Sequence, residues 1–160
     1  MFTATEDAEI DPETCKVNAT DSTVQQFSDF YIPFKVPVPI TGGCIVLIEI
    51  PADFTVKAGD LSRVEGWGIF GGRTDLIAEI DEASRTVKIV DQCVEYSGAN
   101  IQSTVKLTMI QNPLVVRETA SFAIYVKDSN SKGIASISSD VRYTPTSGTV
   151  SDISLKSTDG

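Results

Sequence analysis

Residues 28–40, Ser-Asp-Phe-Tyr-Ile-Pro-Phe-Lys-Val-Pro-Val-Pro-Ile, most narrow what this chain can fold into. Apolar side chains recur at every second place: Phe30, Ile32, Phe34, Val36, Val38 and Ile40 share one face. Tyr31, Pro33, Lys35, Pro37 and Pro39 share the other. Period two marks a strand with one face in a core, and internal prolines rule out a helix. Three prolines on one side cannot donate to a ladder. This strand is therefore expected at a sheet edge, or leaving the sheet towards Pro39.

The same alternation recurs along the chain. Thr41-Gly42-Gly43 turns into a stretch with Cys44, Val46, Ile48 and Ile50 on one side. Further strands are expected at 75–81, 85–91, 103–110, 120–128, 134–143 and 149–157, joined by Asp, Asn, Ser, Gly and Pro turns. No convincing amphipathic helix of ten or more residues is visible. The pattern predicts an all-β chain, an immunoglobulin-like antiparallel β-sandwich with strand-like terminal extensions. With 160 residues the chain holds one domain and an arm. The arm is residues 1–14 and the sandwich is 15–157, its last strand, 149–157, open to exchange with a neighbour.

Gly66, Gly68 and Gly71 satisfy the G-x-G-x-x-G spacing of a dinucleotide site. That chemistry needs a buried strand before the glycines and a helix after them, to hold a pyrophosphate on the helix N-terminus. Here residues 60–65 read as a polar loop and 72–81 alternate like a strand. The spacing is coincidental, and the glycines are expected to let a loop pack around Trp67 and Phe70 at the end of the sandwich.

Composition removes several functions. The chain has no histidine, the commonest general base and metal ligand, and no nucleophile–base pair is visible. This argues against an enzyme and against a cofactor. A net charge of −9 argues against nucleic acid. No apolar run approaches the roughly 18–20 residues of a membrane span. The first ten residues lack the basic and apolar regions of a signal peptide, so for an exported chain either a removed signal or a place within a longer protein is expected.

The three cysteines, Cys15, Cys44 and Cys93, form no C-x-x-C motif. A Cys44–Cys93 disulfide crossing the sandwich is expected, with Cys15 left free or bonded to another subunit. Cys15–Cys93 is the alternative, and three reduced thiols the intracellular one. Asn18-Ala19-Thr20 is an N-glycosylation sequon. With paired cysteines and an acidic surface rich in Ser and Thr, it points outside the cell or to its surface.

Calcium has two candidate places. Asp128, Asn130, Lys132 and Gly133 loosely match a calcium loop, but Lys132 and Ser139 stand where oxygen ligands belong, so a hairpin is expected. Glu6, Asp7, Glu9, Asp11 and Glu13 could gather calcium against a loop, or form a solvated arm. Asp81 and Glu82 are explained by a turn.

Residues 30–54, then the Gly-rich loop, then 105–134 and the final Ser-Asp-Ile-Ser-Leu-Lys-Ser resemble one repeat of the large tandem-repeat cell-surface proteins of ciliates. The likeness covers most of 27–157. Ile110 with Asn112-Pro113, and Ser121-Phe122 with Tyr125 and Asp128, carry it best. It implies a repeated sandwich in a surface setting, with a last strand that hands over to the next repeat, and it identifies no site.

Two functions are expected from this reading. The first is a structural extracellular subunit of a coat or filament, glycosylated at Asn18. Either tail would add a strand to a neighbour and so form a head-to-tail polymer. The second is an adhesive or carbohydrate-binding module using residues 59–75, with Asp60, Trp67, Phe70, Arg73 and Asp75.

Overall fold

The alternating stretch forms the strand β3, Phe27–Val36, with every even-numbered residue from Ser28 to Val36 buried. A computed structural model describes residues 8–40, 42–56, 63–90, 93–94, 100–130 and 132–147. Within them lie ten more strands: β1 (Ala8–Glu9), β2 (Asn18–Ala19), β4 (Ile45–Glu49), β5 (Thr55–Val56), β6 (Arg63–Trp67), β7 (Arg73–Asp81), β8 (Thr86–Val90), β9 (Ile101–Gln111), β10 (Ala123–Lys127) and β11 (Gly133–Ile137). The expected strand 149–157 lies outside the described residues.

The strands follow the order β1-β11-β10-β4-β8-β7-β6-β9-β3-β2, with β5 beside β9. The ladder folds over at β7. Its first part pairs with β6 up to Ile77, and its last part, Ala78–Asp81, pairs with β8. One strand thus serves both layers, as at the corner of an orthogonal packing. The architecture is the expected all-β, immunoglobulin-like sandwich, continuous through this corner. Its ladders are antiparallel except at β1, where Ala8 and Glu9 run parallel to Ala135 and Ser136 of β11. A lone parallel bridge also joins Thr23 and Thr146.

Both layers turn their apolar faces into one core. Phe30, Phe54, Phe122 and Tyr143 meet there with ring centroids 5.3–5.8 Å apart. Such tilted and edge contacts add to what area burial alone supplies. Cys44, Val46, Ile48 and Ile50 share the inner side of the second long alternation, as expected.

The prolines of β3 do what the sequence requires of them. β3 pairs along its length with β9, but on its other side with β2 only at Phe30 and Tyr31. The Lys35 N–H points to that outer side, donating to Thr14 Oγ1 at 3.2 Å. Pro33, two residues earlier, shares this direction, so its missing donor faces the sparsely paired edge. The ladder ends at Val36, before Pro37 and Pro39.

Three expectations are corrected. Residues 60–65 are not all loop: Arg63–Trp67 is a strand with Val64 and Gly66 buried, bulged between those two residues. Cys44 and Cys93 are bonded, with 5.3 Å between Cα atoms, but the bond does not cross the sandwich. β4 and β8 are neighbours in one layer, with Ile45 opposite Val90, and the disulfide closes the end of that ladder. The N-terminal segment is not simply an arm ahead of the domain. Ile10 is fully buried, and the 3-10 turn Pro12–Thr14, capped by the Asp11 carboxylate accepting from the Glu13 N–H, lies against β3.

Candidate functional site

The outward positions of β2, β3, β9 and β6 build a surface of mixed aromatic, charged and polar groups. Cross-strand partners in an antiparallel pair point to the same face. Asn18 pairs with Tyr31, Tyr31 with Lys106, and Lys106 with Glu65, giving one row over four strands. The adjacent row runs Pro33, Thr104, Trp67. Asn18 and Trp67 are exposed, while Tyr31, Pro33, Thr104, Lys106 and Glu65 are half-buried.

Lys106 sits at the middle of this face. Its Nζ lies 3.8 Å from Glu65, 3.7 Å from Asp29 and 5.6 Å from the centre of the Tyr31 ring. Partial loss of water opposes its charge, and Glu65, Tyr31 and Asp29 outweigh that, holding its pKa above the ordinary lysine value. The lysine charge is thus held between two carboxylates, with the Tyr31 ring beside it and the Trp67 ring in the adjacent row.

The three glycines of the G-x-G-x-x-G spacing set the place of Trp67. Gly66 is an inward position of β6, where a Cβ would fall 2.7 Å from Phe70 Cδ2. Trp67, next along, therefore points outward. Gly68, at φ 78°, then opens the 3-10 turn Gly68–Phe70, and Gly71 closes it at φ 77°. The Ile69 N–H donates to the buried Ser103 Oγ at 3.0 Å, and the Ile69 carbonyl accepts from Val94 N–H at 2.7 Å. The turn thereby drives Ile69 and Phe70 fully into the core. Phe70, not Trp67, plugs this end, and Trp67 is 37% exposed. Only this single 3-10 turn opens from the glycines, and a strand, Arg73–Asp81, follows it where a dinucleotide site needs an α-helix, so that reading stays excluded.

The sugar-binding set proposed from sequence is thus only partly assembled. Phe70 is withdrawn into the core, and Asp60 lies outside the described residues. Arg73 and Asp75 pair with each other on β7, with Nε 3.2 Å from Oδ1. Sequence reasoning missed Tyr31, Thr104 and Lys106 as companions of Trp67. The outward half of each alternation was the signal that would have found them.

The remaining candidates separate. Cys15 is a free, buried thiol, and burial pushes its pKa up. Among the described residues no cluster of three His, Cys, Asp or Glu could hold a metal. Glu6 and Asp7 lie outside the described residues, and Glu13 pairs with Lys16. Asp128 accepts from the N–H groups of Asn130 and Lys132, as a hairpin turn would have it. Asp81 likewise accepts from Ala83 and Ser84 in its turn. No described helix is long and apolar enough to cross a membrane.

One surface had no counterpart in the sequence reading. Leu114, Val115 and Val116 are 66%, 50% and 54% exposed. Their loop is anchored by buried Asn112, which donates to the carbonyls of Asp21 and Gln26, and by buried Thr119, bonded to Tyr143.

No family model matches the chain. No characterised protein matches it in sequence. Among solved structures it is similar to BslA, a bacterial hydrophobin, at 12% identity and TM-score 0.49, over 88% of this chain and 98% of that one. It is similar to an uncharacterized immunoglobulin-like protein from Nocardia farcinica, at 12% identity and TM-score 0.42, over 79% and 81%. A collagen-binding domain from a Staphylococcus aureus adhesin is similar at 11% identity and TM-score 0.41, over 82% and 95%.

Proposed function

We propose that this chain is a structural extracellular or cell-surface protein, an immunoglobulin-like subunit of a coat or filament, glycosylated at Asn18, whose copies join by strand addition. One observation carries the reading: the outer edge of β11 is completed by a short N-terminal segment. Ala8 and Glu9 pair with it in parallel, and the Ile10 N–H donates to the Ser136 carbonyl at 3.0 Å. An edge that accepts two residues of its own arm can accept the same residues from a second copy. That contact is head-to-tail and propagates. The exposed Leu114–Val116 supports a surface that meets other molecules, since contiguous exposed apolar groups mark such sites. The disulfide and the sequon support an oxidising, secretory setting.

The test is electron microscopy of the protein as isolated, without refolding, beside a chain lacking residues 1–10. Ordered filaments from the first and folded monomers from the second are expected. A truncated chain that still polymerised would remove strand addition by this arm. A second reading rests on Trp67: the face it shares with Tyr31 would bind an external carbohydrate. Glycan-array binding abolished by Trp67→Ala would favour it, and no binding, or binding indifferent to the substitution, would end it.

A further inference from the structure

We infer that the face built by Tyr31, Lys106, Glu65, Pro33, Thr104 and Trp67 is the resting platform of this chain's own Asn18-linked glycan. The inference rests on the proposal above that the sequon is used. Three observations place the glycan there. Asn18 is exposed on β2 in register with Tyr31, so its side chain leaves the sheet on the same face. Its neighbours Val17 and Ala19 pack on the core instead, which leaves Asn18 no inward alternative. Asn18, Tyr31, Lys106 and Glu65 then stand on four successive strands. At about 4.8 Å per strand spacing, Glu65 lies roughly 15 Å from the attachment point. A short run of sugars spans that distance.

The chemistry of the face suits a neutral sugar. The Lys106 charge is met by Asp29 and Glu65, so nothing there selects an anion. Tyr31 and Trp67 offer ring faces for the C–H side of a sugar, and Thr104, Lys106 and Glu65 offer hydrogen bonds to its hydroxyls between them. A glycan laid on this face covers a sheet surface that would otherwise be free to stack on another copy. It also leaves the β11 edge and the Leu114–Val116 loop open, because neither belongs to this layer's outer rows.

Trp67 is the chain's one tryptophan, so its fluorescence reports the platform directly. The full chain is secreted from a eukaryotic host, and mass spectrometry of the Asn18 glycopeptide establishes occupancy. Acrylamide quenching is then compared between the wild type and Asn18→Gln. That substitution is preferred to one at Thr20, whose hydroxyl lies 3.0 Å from Ser28 Oγ and accepts from the Asp29 N–H. The quenching constant is expected to rise roughly twofold when the glycan is absent, because a stacked sugar shields a ring face. Tyr31→Ser, with the glycan still attached, should raise it towards the same value. An unoccupied Asn18 removes the underlying reading. An occupied Asn18 with equal quenching in wild type and Asn18→Gln overturns the platform alone. Free N,N′-diacetylchitobiose that shields Trp67 in Asn18→Gln, while the attached glycan shields nothing, would also overturn it and assign the face to an external sugar.

Discussion

Gly68 is the residue on which the position of Trp67 depends. It holds φ 78°, and a Cβ there would run into the Gln102 carbonyl and Ser103. A left-handed conformation costs a non-glycine residue about 1–2 kcal/mol, and overpacking adds about 1–3. Gly68→Ala should therefore lose about 2–5 kcal/mol in urea unfolding and shift the Trp67 emission, since the turn and β6 move together. A variant as stable as the parent would show that the turn is not fixed by this glycine. Cys15 gives a second expectation at this scale. Burial raises its folded pKa above the unfolded value, so the stability it contributes is whole below that unfolded value. It is lost as pH rises through the higher folded one. Iodoacetamide should label Cys15 roughly tenfold or more slowly in the folded chain than in denaturant, because the thiolate is the reactive form. The sequence announced Gly68 as a motif member, but its purpose depends on Ser103 and Gln102, thirty-odd residues away, which no local pattern reveals.

Among the elements, β3 was legible because core and solvent faces alternate along it without a break, and its prolines named the edge. β6 was not. Its Glu65 and Gly66 read as loop residues, and Gly66 is buried under Leu76 of β7 and Phe70, which folds back against it. β1 escaped for a different reason: two residues have no period, and their partner lies more than 120 positions away. The disulfide was legible as a pair but not as a direction, since the sequence does not tell that β4 and β8 are neighbours. Its energetic consequence survives that correction. The bond closes 49 residues of separation, worth about 4 kcal/mol by loss of unfolded-chain entropy. Replacing Cys44 and Cys93 by Ser should lower stability by about that amount. Hydrogen exchange should accelerate together at the slowest amides of every strand, because an unfolded-state effect lowers the cost of global opening. Extra acceleration confined to Ile45 and Val90 would show that the bond also pins that end of the folded ladder.

For the whole molecule the decisive matter is whether one segment serves its own domain or a neighbour's. Ile10 is fully buried, and burying an isoleucine stabilises by about 1.5–3 kcal/mol. The arm's pairing beyond it is only Ala8 and Glu9. An intramolecular contact of this size is modest, so exchange between copies replaces one set of contacts by an identical set at little cost. Concentration then decides the outcome. A chain lacking residues 1–10 keeps its β11 edge and has no arm to give, so it can accept a neighbour but cannot be accepted. Mixed with full-length protein during assembly, it should end chains: mean filament length in electron micrographs falls as its share rises, while circular dichroism shows the same folded β content. Ile10→Ser in the full-length chain weakens docking at home and abroad alike, and should reduce filament number rather than cap growing ends. Filaments of unchanged length at a high share of the truncated chain would mean that the arm completes only its own sheet, and that copies meet elsewhere, with the exposed Leu114–Val116 loop the surface to substitute next.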